Sequence, residues 1–262
     1  MKIIVCIKQV PGTTQVEIDS KTGVLKRSAA SAKMNPYDLY AIETALQLKE
    51  KYGADTAALT MGPPYGEAVL REAMMMGIDE GILLTDRAFG GADCLATSYA
   101  LSQAIRCVGI PDLILCGKQT TDGDTAQVGA ELSEWLEIPC IANVQKIEDV
   151  SHELLTVESD LGFFTQKAEI SLPCLLTVDK DIFEPRLPSY KRKIATKDKP
   201  IRVLTFRDMP DQDPSHYGLN GSPTRVMRVF PPVHETHNEV WNEGADSSAE
   251  KLFDLLVSKK MI

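Results

Sequence analysis

Residues 113–135, which read LILCGKQTTDGDTAQVGAELSEW, decide the fold of this chain. The apolar run at 113–116 predicts a buried strand, residues 117–121 a turn, and residues 125–137 a helix. A helix that starts soon after a strand offers free backbone N–H groups and a partial positive charge, which suit a phosphate or pyrophosphate. The stretch therefore predicts a strand–loop–helix unit of an α/β sheet.

The loop of this unit also carries short side chains with oxygen atoms. Asp122, Asp124 and Thr125 can cap the helix or hydrogen-bond ribose hydroxyls. An ordinary capped loop would have the same composition, because open α/β sheets all carry loops here and only some of them bind a ligand. Spacing alone therefore leaves a nucleotide site and a plain capped loop as equal alternatives.

The chain alternates strand-like and helical segments. The predicted strands are 3–7, 56–61, 81–84, 113–116 and 138–144, and the predicted helices are 39–52, 66–76, 92–108 and 125–137. The strand segments are nearly continuous Val/Ile/Leu-rich runs, as expected for strands buried on both faces. This order predicts an α/β fold with a doubly wound parallel sheet, whose ligands bind at the carboxyl ends of the strands. The site should therefore be formed by the loops near Cys6, Met61, Thr85 and Cys116.

Two later segments depart from this alternation. A small antiparallel addition is predicted from short strands at 147–149, 154–158, 165–170 and 175–178. The chain after Arg207 is rich in Pro, Asp, Asn and Gly, so it should cross another surface, and helical periodicity returns at 250–259. We predict a nucleotide-binding domain over 1–205 and an extended C-terminal arm over 206–262, whose helix docks on a partner. Packing of that helix on its own domain is the alternative.

Composition excludes several classes of protein. The 262 residues carry a net charge of −9, which argues against a uniformly basic surface for nucleic acid. No apolar run reaches the roughly 18 to 20 residues that span a membrane, and the N-terminus does not resemble a secretory signal. The six cysteines form no C-x-x-C pair, which favours reduced thiols in a cytoplasm. His234 and His237 lie in an irregular, Pro-flanked stretch, so no metal site is predicted.

Four sequence blocks resemble the β subunit of electron transfer flavoproteins. They are IIVCIKQVPGTT from residue 3, MNPYD from 34, GKQTTDGDTAQVG from 117, and a block that begins with Val157-Glu158, includes PCLLT at 173–177 and leads into EPRL at 184–187. They occur in the family's order and cover residues 1 to about 205. The resemblance implies an adenine nucleotide α-hydrolase-like fold, an α-subunit partner and no catalytic side chains, because a bound flavin carries the electrons.

Which nucleotide the chain binds depends on the branch of that family. Ordinary β subunits hold AMP, whereas in the electron-bifurcating relatives of anaerobes a second FAD occupies this position. Residues 85–98, TDRAFGGADCLATS, resemble the bifurcating segment that contacts the FAD pyrophosphate. Asp93 and Thr97 match it, and Cys94 stands where Thr is expected, which removes one hydroxyl contact. A helix capped by Asp93 is the alternative, and the combined loop matches favour FAD over AMP.

The resemblance carries a set of site residues onto this chain position by position. The predicted cofactor contacts are Cys6, Lys8, Asn35, Asp38, Met61, Gly62, Asp93, Cys94, Thr97, Thr120, Thr121, Asp122, Gly123, Asp124, Thr125, Ala126, Gln127, Val128 and Gly129. Asn35 is expected to reach the base or ribose through its amide. Core packing is an equal alternative for Met61. Lys118 could pair with phosphate or be solvated.

A basic segment, EPRLPSYKRKIATKDK at 184–199, resembles the family's recognition loop. The resemblance implies that it docks an acyl-CoA dehydrogenase-like or lactate dehydrogenase-like flavoenzyme, with Tyr190 where the family usually has Leu. Arg186, Lys191 and Arg192 would steer an acidic partner. A solvated basic loop is the alternative.

These observations predict the β subunit of a heterodimeric electron transfer flavoprotein of the bifurcating type. Its FAD would take electrons from NADH and pass one towards ferredoxin, either through the partner or through an iron–sulfur domain, and any iron–sulfur centre would lie on another subunit. The other electron would pass through the α-subunit FAD to the dehydrogenase. One alternative is a carrier in which the chain binds AMP structurally. Another is a flavin-free nucleotide-binding module of the stress-protein type, which needs neither the block at 157–177 nor the basic segment.

Overall fold

The computed structural model describes residues 1–12, 32–151, 153–180, 182–225, 227 and 238–262. Its strands are β1 (Lys2–Cys6), β2 (Gln9–Pro11), β3 (Ala32–Met34), β4 (Asp55–Met61), β5 (Glu80–Leu84), β6 (Leu113–Gly117), β7 (Cys140–Val150), β8 (Leu154–Asp160), β9 (Thr165–Ser171), β10 (Cys174–Val178) and β11 (Arg202–Leu204). Its helices are α1 (Pro36–Tyr52), α2 (Glu67–Met76), α3 (Cys94–Val108), α4 (Val128–Leu136), α5 (Tyr190–Thr196) and α6 (Ala245–Ser258).

The main sheet has nine strands in the order β11-β5-β4-β1-β6-β10-β7-β8-β9. Pairing is parallel from β11 through to β7, and β8 and β9 extend the sheet in the antiparallel sense. A separate antiparallel pair, β2 and β3, lies beside it. The α/β prediction is therefore confirmed. Because β1 and β6 lie side by side, their carboxyl ends and the loops after them share one edge of the sheet.

Strand β1 shows why the sheet is covered on both faces. Its side chains alternate: Ile3 and Val5 pack in a core with α1 and α2, whereas Ile4 and Cys6 pack in a second core with α3 and α4. These four side chains are at most 8% exposed, and burial of a large aliphatic side chain contributes about 1.5–3 kcal/mol. An apolar run without polar alternation is therefore what a central parallel strand requires.

Two details of the predicted strands were wrong. Residues predicted as separate strands at 138–144 and 147–149 form the single strand β7, whose pairing with β8 shifts register twice. Residues 175–178 belong to β10, which lies between β6 and β7 in the parallel sheet rather than in the antiparallel addition. Strands β8 and β9 form one edge of the sheet, and β10 then returns to its interior between β6 and β7. This long-range pairing leaves no signal in the local sequence.

The chain divides into two compact units, Met1–Met227 and Arg228–Ile262. Residues 206–225 thus pack within the first unit, and Tyr217, 1% exposed, lies in the core beside α3. The surface that this Pro-rich stretch crosses is the chain's own domain. In the second unit, α6 has no buried residue, so its docking on a partner stays a prediction. No helix in the described ranges is long and apolar enough to cross a membrane.

Some predicted features lie outside the described residues. These are Thr13 and Thr14, which end the first family block, and the His234 and His237 pair.

Candidate functional site

The crevice loop, residues 118–127, joins β6 to α4 at the carboxyl edge of the sheet. Helix α4 begins at Val128 rather than at Thr125, because Asp124 and Ala126 both have a φ of 55° and cannot continue a helix. Left-handed backbone at non-glycine residues costs about 1–3 kcal/mol each and concentrates at ligand sites. Gln127 makes no side-chain cap, so the first N–H groups of α4 have no capping side chain and suit an anion.

Asn35 holds the crevice loop from beneath. Its Nδ2 donates to Asp38 Oδ1 at 2.8 Å and to the Gln119 carbonyl at 2.9 Å, and its Oδ1 accepts from the Thr121 N–H at 3.2 Å. The side chain is fully buried. Every polar group of this side chain is thus engaged within the chain, so Asn35 sets the shape of the loop, and the expected contact of its amide with a base or ribose stays a prediction.

Lys8, Asp38 and Asp122 form a charged cluster beside Asn35. The Lys8 N–H donates to Asp38 Oδ2 at 2.6 Å, and Lys8 Nζ lies 2.7 Å from Asp122 Oδ1. Burial raises the pKa of Asp38 to about 7, against the hydrogen bonds from Asn35 and Lys8. Burial also raises the pKa of Asp122, but the hydrogen bond and charge of Lys8 outweigh it and lower the net pKa. The cluster links the end of β1, the start of α1 and the crevice loop.

Two glycines allow the elements around the loop to approach closely. A Cβ at Gly117 would lie 2.5 Å from Asp38 Oδ1, and a Cβ at Gly129 would lie 2.5 Å from Thr177 Cγ2. Because Gly117 has no side chain, α1 packs closely against the end of β6. Because Gly129 has none, α4 packs closely on β10. Gly129 is buried, so it supports the crevice rather than facing it.

A second helix N-terminus borders the crevice loop. Cys94, the first residue of α3, has its Sγ 3.0 Å from Thr125 Oγ1 in a hydrogen bond. Asp93 caps α3 through Oδ1, which accepts from the Ala96 N–H at 3.1 Å, while Oδ2 accepts from the Thr224 N–H and hydroxyl at 3.1 and 2.8 Å. The helix-cap interpretation of Asp93 is thus confirmed, and both carboxylate oxygens are engaged within the chain.

Sequence reasoning missed the side wall of the crevice, residues 217–224. Leu219 N–H donates to the Gly90 carbonyl at 3.0 Å, and Ser222 Oγ accepts from the Asp93 N–H at 2.9 Å. Gly218 has a φ of 55°, and a Cβ there would clash with the Ala88 carbonyl oxygen. The only sequence signal was the pair of glycines in YGLNGS, which indicates close backbone approach but not to which segment.

The remaining predicted contacts differ in what they can offer. Cys6 is buried, and its thiol hydrogen-bonds Cys116; this bond, together with burial, raises the pKa of Cys116. Met61 and Gly62 are half-buried at the end of β4, and the Gly62 N–H donates to the Leu84 carbonyl. Thr97 and Val128 are half-buried, whereas residues 121–127 are exposed. The crevice loop is therefore the most accessible part of the predicted site.

Lys118 is neither free for phosphate nor simply solvated. Its Nζ lies 2.9 Å from Oδ2 of Asp179, whose side chain is 8% exposed, and its N–H donates to the Val178 carbonyl. This lysine therefore fixes the start of the crevice loop to the end of β10. Among the described residues, no group of three or more His, Cys, Asp or Glu side chains could hold a metal ion.

The basic segment at 184–199 is also ordered by internal contacts. Arg186 donates to Glu43 and Glu50, and Arg192 donates to the Met76 carbonyl. The sequence predicted that these two arginines are free to steer a partner. In the structure, their donors instead hold the segment to α1 and α2. Tyr190 is 75% exposed, as a docking residue requires.

Two further apolar side chains lie beside Tyr190 in sequence and are exposed. Leu187 precedes α5 and is 86% exposed, and Ile194 is one helical turn after Tyr190 and 64% exposed. Lys191 and Lys193 are exposed as well. We call Leu187, Tyr190 and Ile194 the apolar ridge. The sequence prediction named only its central residue.

Comparison with known proteins gives a consistent result. A family model described as "Electron transfer flavoprotein domain" matches residues 22–209. The chain is 41% identical over 263 residues to the "Electron transfer flavoprotein subunit beta" of Thermoanaerobacterium thermosaccharolyticum, covering 100% of both chains. It is 41% identical over 260 residues to the "Caffeyl-CoA reductase-Etf complex subunit CarD" of Acetobacterium woodii, covering 96% of this chain and 98% of that protein. It is 39% identical over 269 residues to the "Acryloyl-CoA reductase electron transfer subunit gamma" of Anaerotignum propionicum, covering 100% of both.

Proposed function

The chain belongs to the electron transfer flavoprotein β-subunit family, and we propose that it binds FAD in its crevice as part of an electron-bifurcating complex. In this proposal, FAD lies between the crevice loop and the N-terminus of α3. The alternative is a carrier subunit that binds AMP at the crevice loop in a structural role.

The hydrogen bond between Cys94 and Thr125 carries the proposal. It joins the first residue of α3 to the crevice loop at 3.0 Å, so the start of a second helix lies beside the loop that leads into α4. Asp93 caps α3 at the Ala96 N–H, which leaves the preceding N–H groups of Cys94 and Leu95 beside the uncapped start of α4. AMP presents one phosphate, whereas FAD presents a diphosphate that gains from two neighbouring sets of N–H donors. A crevice bordered by two helix N-termini therefore suits the dinucleotide better.

The described residues fit such a group. The N-terminus of α4 has no capping side chain, and the exposed loop presents small and polar residues from Thr121 to Gln127. The Gly123 N–H donates to Thr120 Oγ1 at 3.4 Å, which closes this turn. Because Gly123 has no side chain, a phosphate can approach the backbone at the tip. FAD, when bound, accepts two electrons from NADH and releases them singly. The residues of this chain supply binding and orientation, and none is proposed as a catalytic acid or base.

The partners proposed for the chain follow from its relatives and from its surface. Two relatives are named as subunits of caffeyl-CoA and acryloyl-CoA reductase systems. We propose an α subunit with a second FAD and an acyl-CoA or lactate-type dehydrogenase that docks on the apolar ridge. Ferredoxin would be the other acceptor, and any iron–sulfur centre of the complex would lie on another subunit. Exposed Lys191 and Lys193 beside the ridge favour an acidic rim on the dehydrogenase.

Nucleotide content tests the proposal directly. The heterodimer should be purified, denatured, and its released FAD and AMP quantified. About two FAD and no AMP per heterodimer would support the proposal and justify an assay of NADH-dependent ferredoxin reduction. One FAD with one AMP would overturn it and leave the carrier function.

Cys94→Thr provides a matched variant for this test. The substitution keeps a side chain that can hydrogen-bond Thr125 and restores the hydroxyl expected in bifurcating relatives. It should keep or strengthen FAD binding, whereas Cys94→Ala should weaken it. Equal FAD content in both variants would show that the Cys94 contact does not contribute to binding.

A further inference from the structure

Asp38 is a buried carboxylate at the point where three elements of the crevice meet. It is 4% exposed and lies under Gly117, at the end of β6. Its two oxygens accept hydrogen bonds from the Lys8 N–H at 2.6 Å and from Asn35 Nδ2 at 2.8 Å. Since its side chain is enclosed, Asp38 does not present an oxygen to the crevice and can influence a ligand only through its neighbours.

The partners of Asp38 match only its ionised form. Both partners are N–H donors, so each carboxylate oxygen serves as an acceptor. A protonated Asp38 would carry an O–H group that neither the Lys8 N–H nor Asn35 Nδ2 can accept. The Asn35 side chain could offer its Oδ1 to this O–H only by turning its amide over, and that oxygen already accepts from the Thr121 N–H of the crevice loop. Protonation therefore competes with the bond that positions this loop.

Charged and titratable groups face Asp38 from each neighbouring element. Lys8, after β1, favours its ionised form, and Asp122 in the crevice loop favours its protonated form. Cys116 faces it from β6 and stays protonated, because its bond to Cys6 and its burial raise its pKa. Burial of Asp38 opposes ionisation and brings its pKa to about 7, so both forms are populated near neutral pH.

We propose that Asp38 is a positioning residue that couples one protonation event to the shape of the crevice loop, so that its ionised form strengthens nucleotide binding. Asn35 transmits the effect, because the same amide bonds Asp38, the Gln119 carbonyl and the Thr121 N–H. The inference rests on the proposed nucleotide site and goes beyond it, since it assigns the site a pH dependence and a residue that does not contact the ligand.

The test is the affinity of the purified, nucleotide-free full chain for FAD, measured by fluorescence titration from about pH 8.5 to about pH 5.5. The FAD diphosphate keeps a constant charge over this range. Affinity should fall with a midpoint near neutral pH, by at most about tenfold per pH unit if one proton is linked to binding. In Asp38→Asn, the profile should be flat and the affinity no higher than that of the wild type at low pH.

Two further variants distinguish a positioning role of Asp38 from a general effect on the stability of the fold. Glu43→Gln removes another buried carboxyl of α1 that faces Arg186 rather than the crevice, so it should keep the wild-type pH profile. Asp122→Asn leaves the buried network intact but removes a charge that raises the pKa of Asp38, so the midpoint should move to lower pH. This exposed variant keeps the test decisive even if Asp38→Asn does not fold.

The outcomes distinguish this inference from the proposed function. If the wild type binds FAD with the same pH profile as Asp38→Asn, or if the Asp122→Asn midpoint does not move, the positioning role is overturned and the FAD site stands. If the chain binds AMP but not FAD, the same titration with AMP, referenced to Asp38→Asn to cancel titration of the phosphate, tests the positioning role alone. If neither nucleotide binds, both proposals fail.

Discussion

The crevice loop at 118–127 and the basic segment at 184–199 both look like polar loops in the sequence, but they are held in place by different interactions. The crevice loop is fixed by hydrogen bonds between its backbone and a buried amide, that of Asn35. The basic segment contains a helix and is fixed by arginine side chains that reach α1 and α2. In both regions, the side chains that make several hydrogen bonds point towards the rest of the domain, and other residues form the accessible surface.

This difference has energetic consequences. A buried amide that bonds three groups cannot be replaced without leaving some of them unsatisfied, whereas an arginine at the surface shares its donors with water. The crevice loop should therefore be the more sensitive region to single substitutions. The basic segment should tolerate changes to exposed residues that make no such contact, but not to Arg186, whose partner Glu43 is 2% exposed.

The largest expected effect tests the first half of this comparison. Asn35→Ala removes three hydrogen bonds and leaves the Gln119 carbonyl and the Thr121 N–H without their partner. The free energy of unfolding should fall by about 2–3 kcal/mol in urea denaturation, since each buried unsatisfied group costs about 1–3 kcal/mol. FAD affinity should fall as well. Asn242→Ala, at an exposed asparagine, should leave both quantities unchanged; similar losses in the two variants would refute the special role of Asn35.

Arg186→Ala tests the second half. It leaves Glu43 buried without its partner, and because Arg186 is itself 26% exposed, we expect a loss of about 2 kcal/mol, below the full cost of breaking a buried ion pair. Burial raises the pKa of Glu43, but the hydrogen bonds from Arg186 outweigh this and lower it. The stability contributed by the pair is therefore present above the ordinary glutamate pKa of 4.5 and is lost as pH falls through the lowered value.

Unfolding of wild type and Arg186→Ala should be compared at neutral and acid pH. The difference should shrink in acid. Lys191→Ala, at an exposed residue of the same segment, is the control and should unfold like the wild type at both pH values. A difference between wild type and Arg186→Ala that does not depend on pH would argue against the ion pair as its cause.

Tyr190→Ala tests whether the residue that contacts the partner also contributes to the stability of the basic segment. Because Tyr190 is 75% exposed, its loss should leave stability and FAD content unchanged. Affinity for the partner dehydrogenase should fall about tenfold, as expected for truncation of an aromatic anchor. Surface plasmon resonance with the purified dehydrogenase measures this, with Tyr65→Ala, at another exposed tyrosine, as the control. Equal affinities of the two variants would place the docking site elsewhere.

The smallest expected effect is on the local stability of residues 211–217, which lie just before and at the start of the side wall. The hydrogen bond that His216 Nδ1 donates to Asp211 Oδ2 at 2.6 Å raises the pKa of His216. A raised pKa in the folded state means that this contribution is fully present below the ordinary histidine pKa of 6.5 and is lost as pH rises through the raised value.

Hydrogen exchange of residues 211–217 measures this effect. Exchange, corrected for its intrinsic pH dependence, should become faster in the wild type as pH rises through the histidine range. It should not depend on pH in this way in His216→Asn. A pH response that persists in His216→Asn would assign it to another group that titrates in this range.

Much of the fold could be predicted from the sequence, because central parallel strands and amphipathic helices leave strong local patterns. The strand at Lys2–Cys6 and the helix at Cys94–Val108 were expected within about two residues at each end. The start of α4 was misplaced because Asp124 and Ala126 adopt a left-handed backbone, which the helical pattern of their side chains does not indicate. Strand β10 was misassigned for a related reason, since its pairing is decided by long-range topology.

The candidate site shows the same division. The order of the elements and the loop composition, read from the sequence, predicted a site at the carboxyl edge of the sheet. The structure places the loop after β6, which the family resemblance named, at that edge, and its contact with a nucleotide stays a prediction. The roles of Asn35, Asp38 and Arg186 were decided only by tertiary structure, which buries them among specific donors and acceptors. The sequence by itself determined which residues form strands and helices, because those patterns are local. Only the tertiary structure decided which polar side chains remain for a ligand, because that depends on which groups from distant segments already satisfy their hydrogen bonds.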